Sequence, residues 1–179
     1  MAIKEPYRAI YNNLYSENSR QAILIWWKEL EARKGERSEL RRADSPIAAA
    51  MCKATYRLQN VLPYWNHEPE ILAIVAGILS TVTSSLSTIE SFPMQMASKN
   101  GEKPCVSESR FQKIIKSHDL PELYLQTRRA VKLIEGPINI LSLADGIISF
   151  SEIILGKEIP SSKKSVTYQW ANDYYSKLL

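Results

Sequence analysis

Several groups of cations in this chain have the spacing needed to bind along a polyanion. Arg41 and Arg42 are adjacent within GERSELRRADSP, residues 35 to 46, a polar stretch between two apolar ones. Arg110, Lys113 and Lys116 recur every third residue, and Arg128, Arg129 and Lys132 lie within two turns. On a helix these two sets fall on the side away from the apolar residues. Phe111, Ile114 and Ile115 face the first set; Leu123, Thr127, Ala130, Val131 and Ile134 face the second. No acid interrupts either triplet. Neutralising a phosphate backbone requires several cations in a line, and that is the chemistry this pattern suits. One basic stripe alone is ordinary solvated surface. Two adjacent stripes and an arginine pair point to a polyanion-binding surface.

Two points stay open on sequence alone. Lys53 and Arg57, one turn apart, flank the apolar stripe of their helix. They either snorkel at the edge of the core or extend the basic path. Arg41 or Arg42 could also pair with Glu36, Glu39 or Asp44 and lock the turn.

Other chemistries find little support. His67 sits in WNHEPE, which is not HExxH, and His118 sits in a turn. No His, Cys or Asp set has metal-ligand spacing. There is no GxSxG, and LGKEIPSSK lacks the leading glycine spacing of a P-loop. Cys52 and Cys105 form no CxxC, and Cys52 lies on an alanine-rich face suited to packing. The expectation is a protein that is not an enzyme and needs no cofactor or metal. Trp26 and Trp27, Tyr64 and Trp65, Trp170, and Tyr174 and Tyr175 could stack on bases. They lie away from the basic triplets and read as core.

The elements that must position the cations are helical. With 179 residues the chain can bury roughly 70% of its unfolded surface, so it needs no disulfide or metal to fold. Its 45% hydrophobic and 23% charged content is that of a soluble globular protein. The net charge of only +4 makes the placement of the cations matter more than their sum. No lysine or arginine occurs between Leu58 and Ser98. Unpaired cysteines suggest a reducing cytoplasm. AIKEPYRAIY has no apolar core of a signal peptide, and ILAIVAGIL is too short to span a membrane.

A first helix is expected from a Ser19 cap to Gly35 as its stop. Ser45 as N-cap and Pro46 at N1 open a second, whose stripe is Ile47, Ala50, Met51, Ala54, Leu58, Val61 and Leu62. Pro69 opens a helix that is apolar nearly all round and therefore central. SFPMQMASKNGEKPC reads as a loop. Ser107 caps the next helix, with Val106 and Phe111 as a hydrophobic staple, and Asp119 and Glu122 have capping-box spacing for the one after, which Gly136-Pro137 ends. Two more helices lie around INILSLADGIISF and KSVTYQWANDYYSKLL, joined by GKEIPSSKK. The fold class is all-α: a compact helical bundle with basic faces. A loosely docked arm covers residues 1–18, and sub-bundles cover about 19–92 and 105–179.

In this order and spacing the segments resemble the CasB family, the small subunit of the type I-E CRISPR Cascade complex. WWKELEARKGERSELRRADSP resembles the family's opening helix, spacer and LRRA-like element. VSESRFQKIIKSHDLPELYLQTRRAVKLIEGPINILSLADGIISF resembles its second block, and VTYQWANDYYSKLL its closing aromatic helix. The likeness spans about Arg20 to Leu179. It implies a non-enzymatic helical protein, present as two copies within a complex with other Cascade subunits, crRNA and target DNA. Such a subunit holds the crRNA–target arrangement and the displaced non-target strand by backbone charge, and the guide RNA reads sequence. By this resemblance Arg41 and Arg42 match the LRR pair, Arg110 the SESR arginine, and Arg128 and Arg129 the second pair. Lys113, Lys116 and Lys132 rest on the helical wheel. SFPMQMASK departs from the family pattern, with Pro93 and no cation before Lys99.

The rival expectation is a freestanding helix-turn-helix regulator built from SESRFQKIIKSHDLPELYLQTRRAVKLI. Such a protein reads base edges from the start of its second helix. Here that start is PELYLQ, with Gln126 as the only candidate reader.

Overall fold

The computed structural model describes residues 14, 16–62, 69–85, 90–157 and 165–179. Among them are ten helices and one ribbon of two two-residue strands, so the class is all-α as expected. The first helix, α1 (Glu17–Ala32), starts after Ser16 and not at Ser19. It buries Ile23, Trp26, Trp27 and Leu30. Both indoles donate across the core, Trp26 Nε1 to Ala54 O at 3.0 Å and Trp27 Nε1 to Leu79 O at 3.1 Å.

The polar stretch after α1 is not an open connector. It forms α2 (Lys34–Arg42), with Gly35 inside it and the break displaced to Arg33. Leu40, fully buried, is its anchor. The following helix is two helices. Ser45 caps α3 (Pro46–Ala50) by accepting from Ala48 N. The chain then turns extended at Cys52 and restarts as α4 (Lys53–Val61). At the break, Thr55 Oγ1 donates to Ala49 O at 2.6 Å and satisfies a carbonyl that the helix would otherwise use. The break shifts the apolar phase. Ala54, Leu58 and Leu62 are buried, but Ile47 is 75% and Met51 78% exposed.

The charge-free helix α5 (Pro69–Leu79) is buried from Ile71 onward. It packs against α2, α3, α4 and, from the second half of the chain, α8 (Leu120–Val131) and α9 (Ile140–Ile154). Both halves feed one connected apolar core. The segment expected as a loop holds α6 (Phe92–Ala97), with Pro93 in its first turn, and a ribbon of β1 (Lys99–Asn100) and β2 (Lys103–Pro104). Gly101 makes the ribbon's turn at φ 69°.

Further along the chain the local signals are accurate. Val106 and Phe111, both fully buried, flank the start of α7 (Glu108–Ile115) as a staple would. Asp119 Oδ1 accepts from Glu122 N at 2.7 Å to open α8. Glu122 in return accepts from His118 N, one residue before the cap. Asn139 caps α9 through Ser142 N. The last helix, α10 (Val166–Leu178), packs on α6 and α9. Helix α8 ends at Val131, short of Gly136. Most of the expected N-terminal arm, His67, the Tyr64-Trp65 pair and most of GKEIPSSKK lie outside the described residues; Leu14, within the expected arm, is fully buried and its N–H donates to Asp145.

Candidate nucleic-acid interface

The arginines of α2 divide by face. Arg37 and Arg41, one turn apart, both reach the far end of α5. Arg37 Nε donates to Ser80 O at 3.3 Å and its Nη2 to Val82 O; Arg41 Nε donates to Ser80 O at 2.9 Å. Carbonyls just past a helix C-terminus are short of donors and carry the negative end of the helix dipole, so guanidinium groups belong there. Arg37 also lies over the Trp27 ring at 5.7 Å. Burial, and then the charge of Arg41, push Arg37 below the usual arginine range. Sequence reasoning passed over Arg37. Its i, i+4 relation to Arg41 on the side of Leu40 was the available signal. Neither Arg41 nor Arg42 forms an ion pair with Glu36, Glu39 or Asp44. Arg42 is exposed and makes no ion pair among the described residues.

On α8 the wheel misplaces one residue. Arg128 was expected to face solvent, yet it is only 9% exposed. Its Nη1 donates to Ala43 O and to Tyr124 Oη, and its Nη2 to Arg41 O at 2.6 Å. Tyr124 Oη donates to the same Ala43 O at 2.8 Å, and the guanidinium carbon sits 4.9 Å from the centre of the Tyr124 ring. Burial raises the Tyr124 phenol above its usual value, against the pull of Arg128. The pair can occupy this place because α5 offers Gly77 beneath it. A methyl there would come within 2.6 Å of Tyr124 Cε2. Helix α8 is packed by α3, α5, α7 and α9, so the buried arc is wider than the stripe of Leu123, Thr127, Ala130 and Val131. Tyr124, one turn before Arg128, was the sequence signal for this. Arg129 and Lys132 are exposed, as expected.

Helix α7 keeps its three cations in solvent. Arg110, Lys113 and Lys116 are exposed, while Phe111 and Ile114 are buried. The closing helix fixes this orientation. Phe111 stacks on Tyr174 with ring centres 4.0 Å apart and planes at 5°. Tyr174 Oη donates to Val106 O at 2.7 Å, and Tyr175 Oη donates to Glu108 Oε1 at 2.8 Å. Gln112 Nε2 in turn donates to Tyr175 Oη. Tyr174, Tyr175 and Trp170 of the last helix are thus core and scaffold, as are Trp26 and Trp27. Exposed Tyr56 and Tyr168 were not singled out from sequence.

The pair on α4 also divides. Arg57 holds Glu36 with two nitrogens, Nε to Oε2 at 3.1 Å and Nη2 to Oε1 at 3.2 Å. That hydrogen bonding holds the Glu36 carboxyl below the usual carboxylate range. Arg57 therefore ties α4 to α2 and its charge is met by an acid. Lys53 is exposed.

The structure thus brings Arg41, Arg42, Arg128 and Arg129 to one junction, where α8 grips the end of α2. Arg110, Lys113 and Lys116 lie on α7, packed beside α8. Among the described residues no group of three or more His, Cys, Asp or Glu side chains could hold a metal ion, and no helix is long and apolar enough to cross a membrane. Cys52 is buried with its thiol against Ala48 O, and burial raises its pKa.

Comparison with known proteins agrees with this architecture. The crystal structure of CasB from Thermus thermophilus superposes with a TM-score of 0.60 at 20% identity, covering 88% of this chain and 97% of that one. That likeness establishes a shared fold. No curated protein sequence matches. The family model of CRISPR-associated protein Cse2 matches residues 36–175, from the first turn of α2 into α10. That match covers both arginine pairs, the α7 face and the closing aromatic helix, and the chain belongs to the CRISPR-associated Cse2 family, the CasB family of type I-E Cascade.

Proposed function

We propose that this chain is the non-catalytic small subunit of a type I-E Cascade complex, binding nucleic acid along its phosphates. It would hold the crRNA–target arrangement and the displaced non-target strand, two copies working within one assembly beside the other subunits. One observation carries the reading. Arg42, Arg110, Lys113, Lys116, Arg129 and Lys132 are exposed on adjoining elements, and none makes an ion pair among the described residues. Unneutralised cations in a line suit a phosphate backbone, whose contacts position a strand without reading it. Arg41 keeps its Nη groups beyond the Nε bond to Ser80 O, and Lys53 extends the set on α4. The packing of α8 speaks against the helix-turn-helix regulator. Leu120, Leu123 and Tyr124 are buried, so the start of that helix offers little to a DNA groove.

The test is Arg42→Ala with Arg129→Ala in the RNA-loaded complex. The variant should assemble and melt within about 0.5 kcal/mol of wild type per site, since exposed cations contribute little to folding. Target affinity should fall, the log–log salt slope should shrink by about 0.7 to 0.9 for each phosphate no longer neutralised, and the displaced strand should become more open to nucleases. Unchanged binding at every salt concentration would reduce the face to solvated surface. Metal-dependent cleavage by the purified chain, abolished by one acidic substitution, would overturn the non-enzymatic part.

A further inference from the structure

The two arginines that end the basic run of α8 are adjacent in sequence and opposite in circumstance. Arg129 is exposed; Arg128 is buried with its donors on backbone carbonyls. We infer that Arg128 is a positioning residue of the phosphate-binding surface, fixing the α2–α3 junction so that Arg42 projects from it, and touching no phosphate itself. This rests on the proposed phosphate-binding role of Arg42.

The geometry is specific to the residue between the two held carbonyls. Arg128 binds Arg41 O through Nη2 and Ala43 O through Nη1. Those carbonyls bracket Arg42 in the chain. A guanidinium is planar, and its donors diverge at fixed angles, so one rigid group holds the 41–42 and 43–44 peptides and confines the Arg42–Ala43 stretch of backbone between them. Tyr124 Oη, bonded to both Arg128 Nη1 and Ala43 O, closes the triangle. Ala43 itself is extended, at φ −62° and ψ 110°, and ends α2. Without the clamp, that last turn would have carbonyls short of donors and would fray. Arg41 adds a second tie through Ser80 O. Arg41 and Arg42 are both exposed and without an ion pair among the described residues, but the Nε of Arg41 is committed to Ser80 O, which leaves Arg42 as the one of the two whose guanidinium is not tied to the fold.

The experiment measures target-DNA affinity against salt for the RNA-loaded complex carrying Arg42→Ala, Arg128→Met, Arg128→Lys, Tyr124→Phe, or Arg42→Ala with Arg128→Met. Arg42→Ala should weaken binding and lower the slope by about one phosphate's worth, 0.7 to 0.9. Tyr124→Phe removes no charge, yet should weaken binding about two- to five-fold. Arg128→Met should match Arg42→Ala, and the double variant should be no weaker than either. Arg128→Lys should not restore binding, because an ammonium cannot span both carbonyls. Additive losses in the double variant, or rescue by Arg128→Lys, would mean that Arg128 meets phosphate directly. Normal binding by Tyr124→Phe and Arg128→Met beside a weakened Arg42→Ala would also overturn the inference. Should Arg128→Met not fold, Tyr124→Phe and Arg128→Lys still decide it. If Arg42→Ala and an Arg129→Ala control both bind like wild type, the phosphate reading itself fails, a result separable from the others.

Discussion

Arg110 and Arg128 occupy nearly the same angular position on their helices. At 3.6 residues per turn each lies roughly 90 to 100° from the centre of its packed side chains, Phe111, Ile114 and Ile115 on α7 and Leu120, Leu123, Tyr124, Thr127, Ala130 and Val131 on α8, where Arg129 lies roughly 160° away. Yet Arg110 is exposed and Arg128 is buried. The helices differ in what surrounds them. Helix α7 is an edge element, anchored through Phe111 and Ile114 to α10 and α8. Helix α8 is enclosed by α3 and α5 as well, and the end of α2 comes down on its flank. A flank position is a boundary, and tertiary neighbours decide to which side it belongs. The difference teaches that an arginine at such a boundary is as much a reserve of donors for stray carbonyls as it is a surface charge.

Removing the anchor of the edge helix should give the largest effect. Phe111→Ala should destabilise the protein by about 3 to 5 kcal/mol, because a fully buried aromatic stacked on Tyr174 leaves a cavity. Denaturant unfolding measures it. A loss under about 1 kcal/mol would mean that α7 is held by something other than its stripe. The same anchor can be loosened by alkali. Burial pushes the Tyr174 phenol up to about 12 from its ordinary 10.0. A raised phenol pKa favours the neutral folded form, so its contribution is whole below pH 10 and drains away as pH climbs towards 12. Melting temperature between pH 9 and 11.5 should fall less in Tyr174→Phe than in wild type.

The contrast between the two flank arginines comes next in size. Arg128→Met should cost roughly 2 to 3 kcal/mol, since charge-assisted bonds to two carbonyls and a phenol disappear and buried acceptors are orphaned. Arg110→Met should stay within about 0.5 kcal/mol. Equal melts for the two would erase the distinction between edge and enclosed helix.

The smallest effect concerns the paired cation. Glu36→Gln should cost under about 1 kcal/mol, because the Arg57 pair is partly solvated. A depressed carboxyl pKa stabilises the fold above its ordinary value of 4.5, and that help disappears as pH falls through the lowered value. The variant and wild type should therefore differ at pH 7 and converge at acid pH. A constant gap would show that packing, not charge, holds α4 to α2.

Much of this molecule was legible because its signals are local. The Ser45 and Asp119 caps, the Val106–Phe111 staple and the apolar run of α5 each involve residues within a few positions of one another. The exposure of Lys113, Lys116, Arg129 and Lys132 followed from helical period alone. What stayed hidden depends on distant partners. Gly35 looked like a stop, but Leu40 pulls the residues after it into a helix. The break at Cys52 is sustained by Thr55 reaching back to Ala49 O, and it turned Ile47 and Met51 outward. Arg37, Arg57 and Arg128 are bound to groups 21 to 87 residues away, and no wheel reports those.

That last separation also has a consequence in time. Arg128 and the Arg41 carbonyl it holds are 87 residues apart. A ribosome adding about 5 to 20 residues per second makes the Arg41-Arg42 junction roughly 4 to 17 seconds before it makes the arginine that clasps it. For that interval the nascent chain carries its basic pair on an unclasped turn. The ordered junction is therefore a late product of synthesis, and a chain halted before Tyr124 would display the arginines without the geometry.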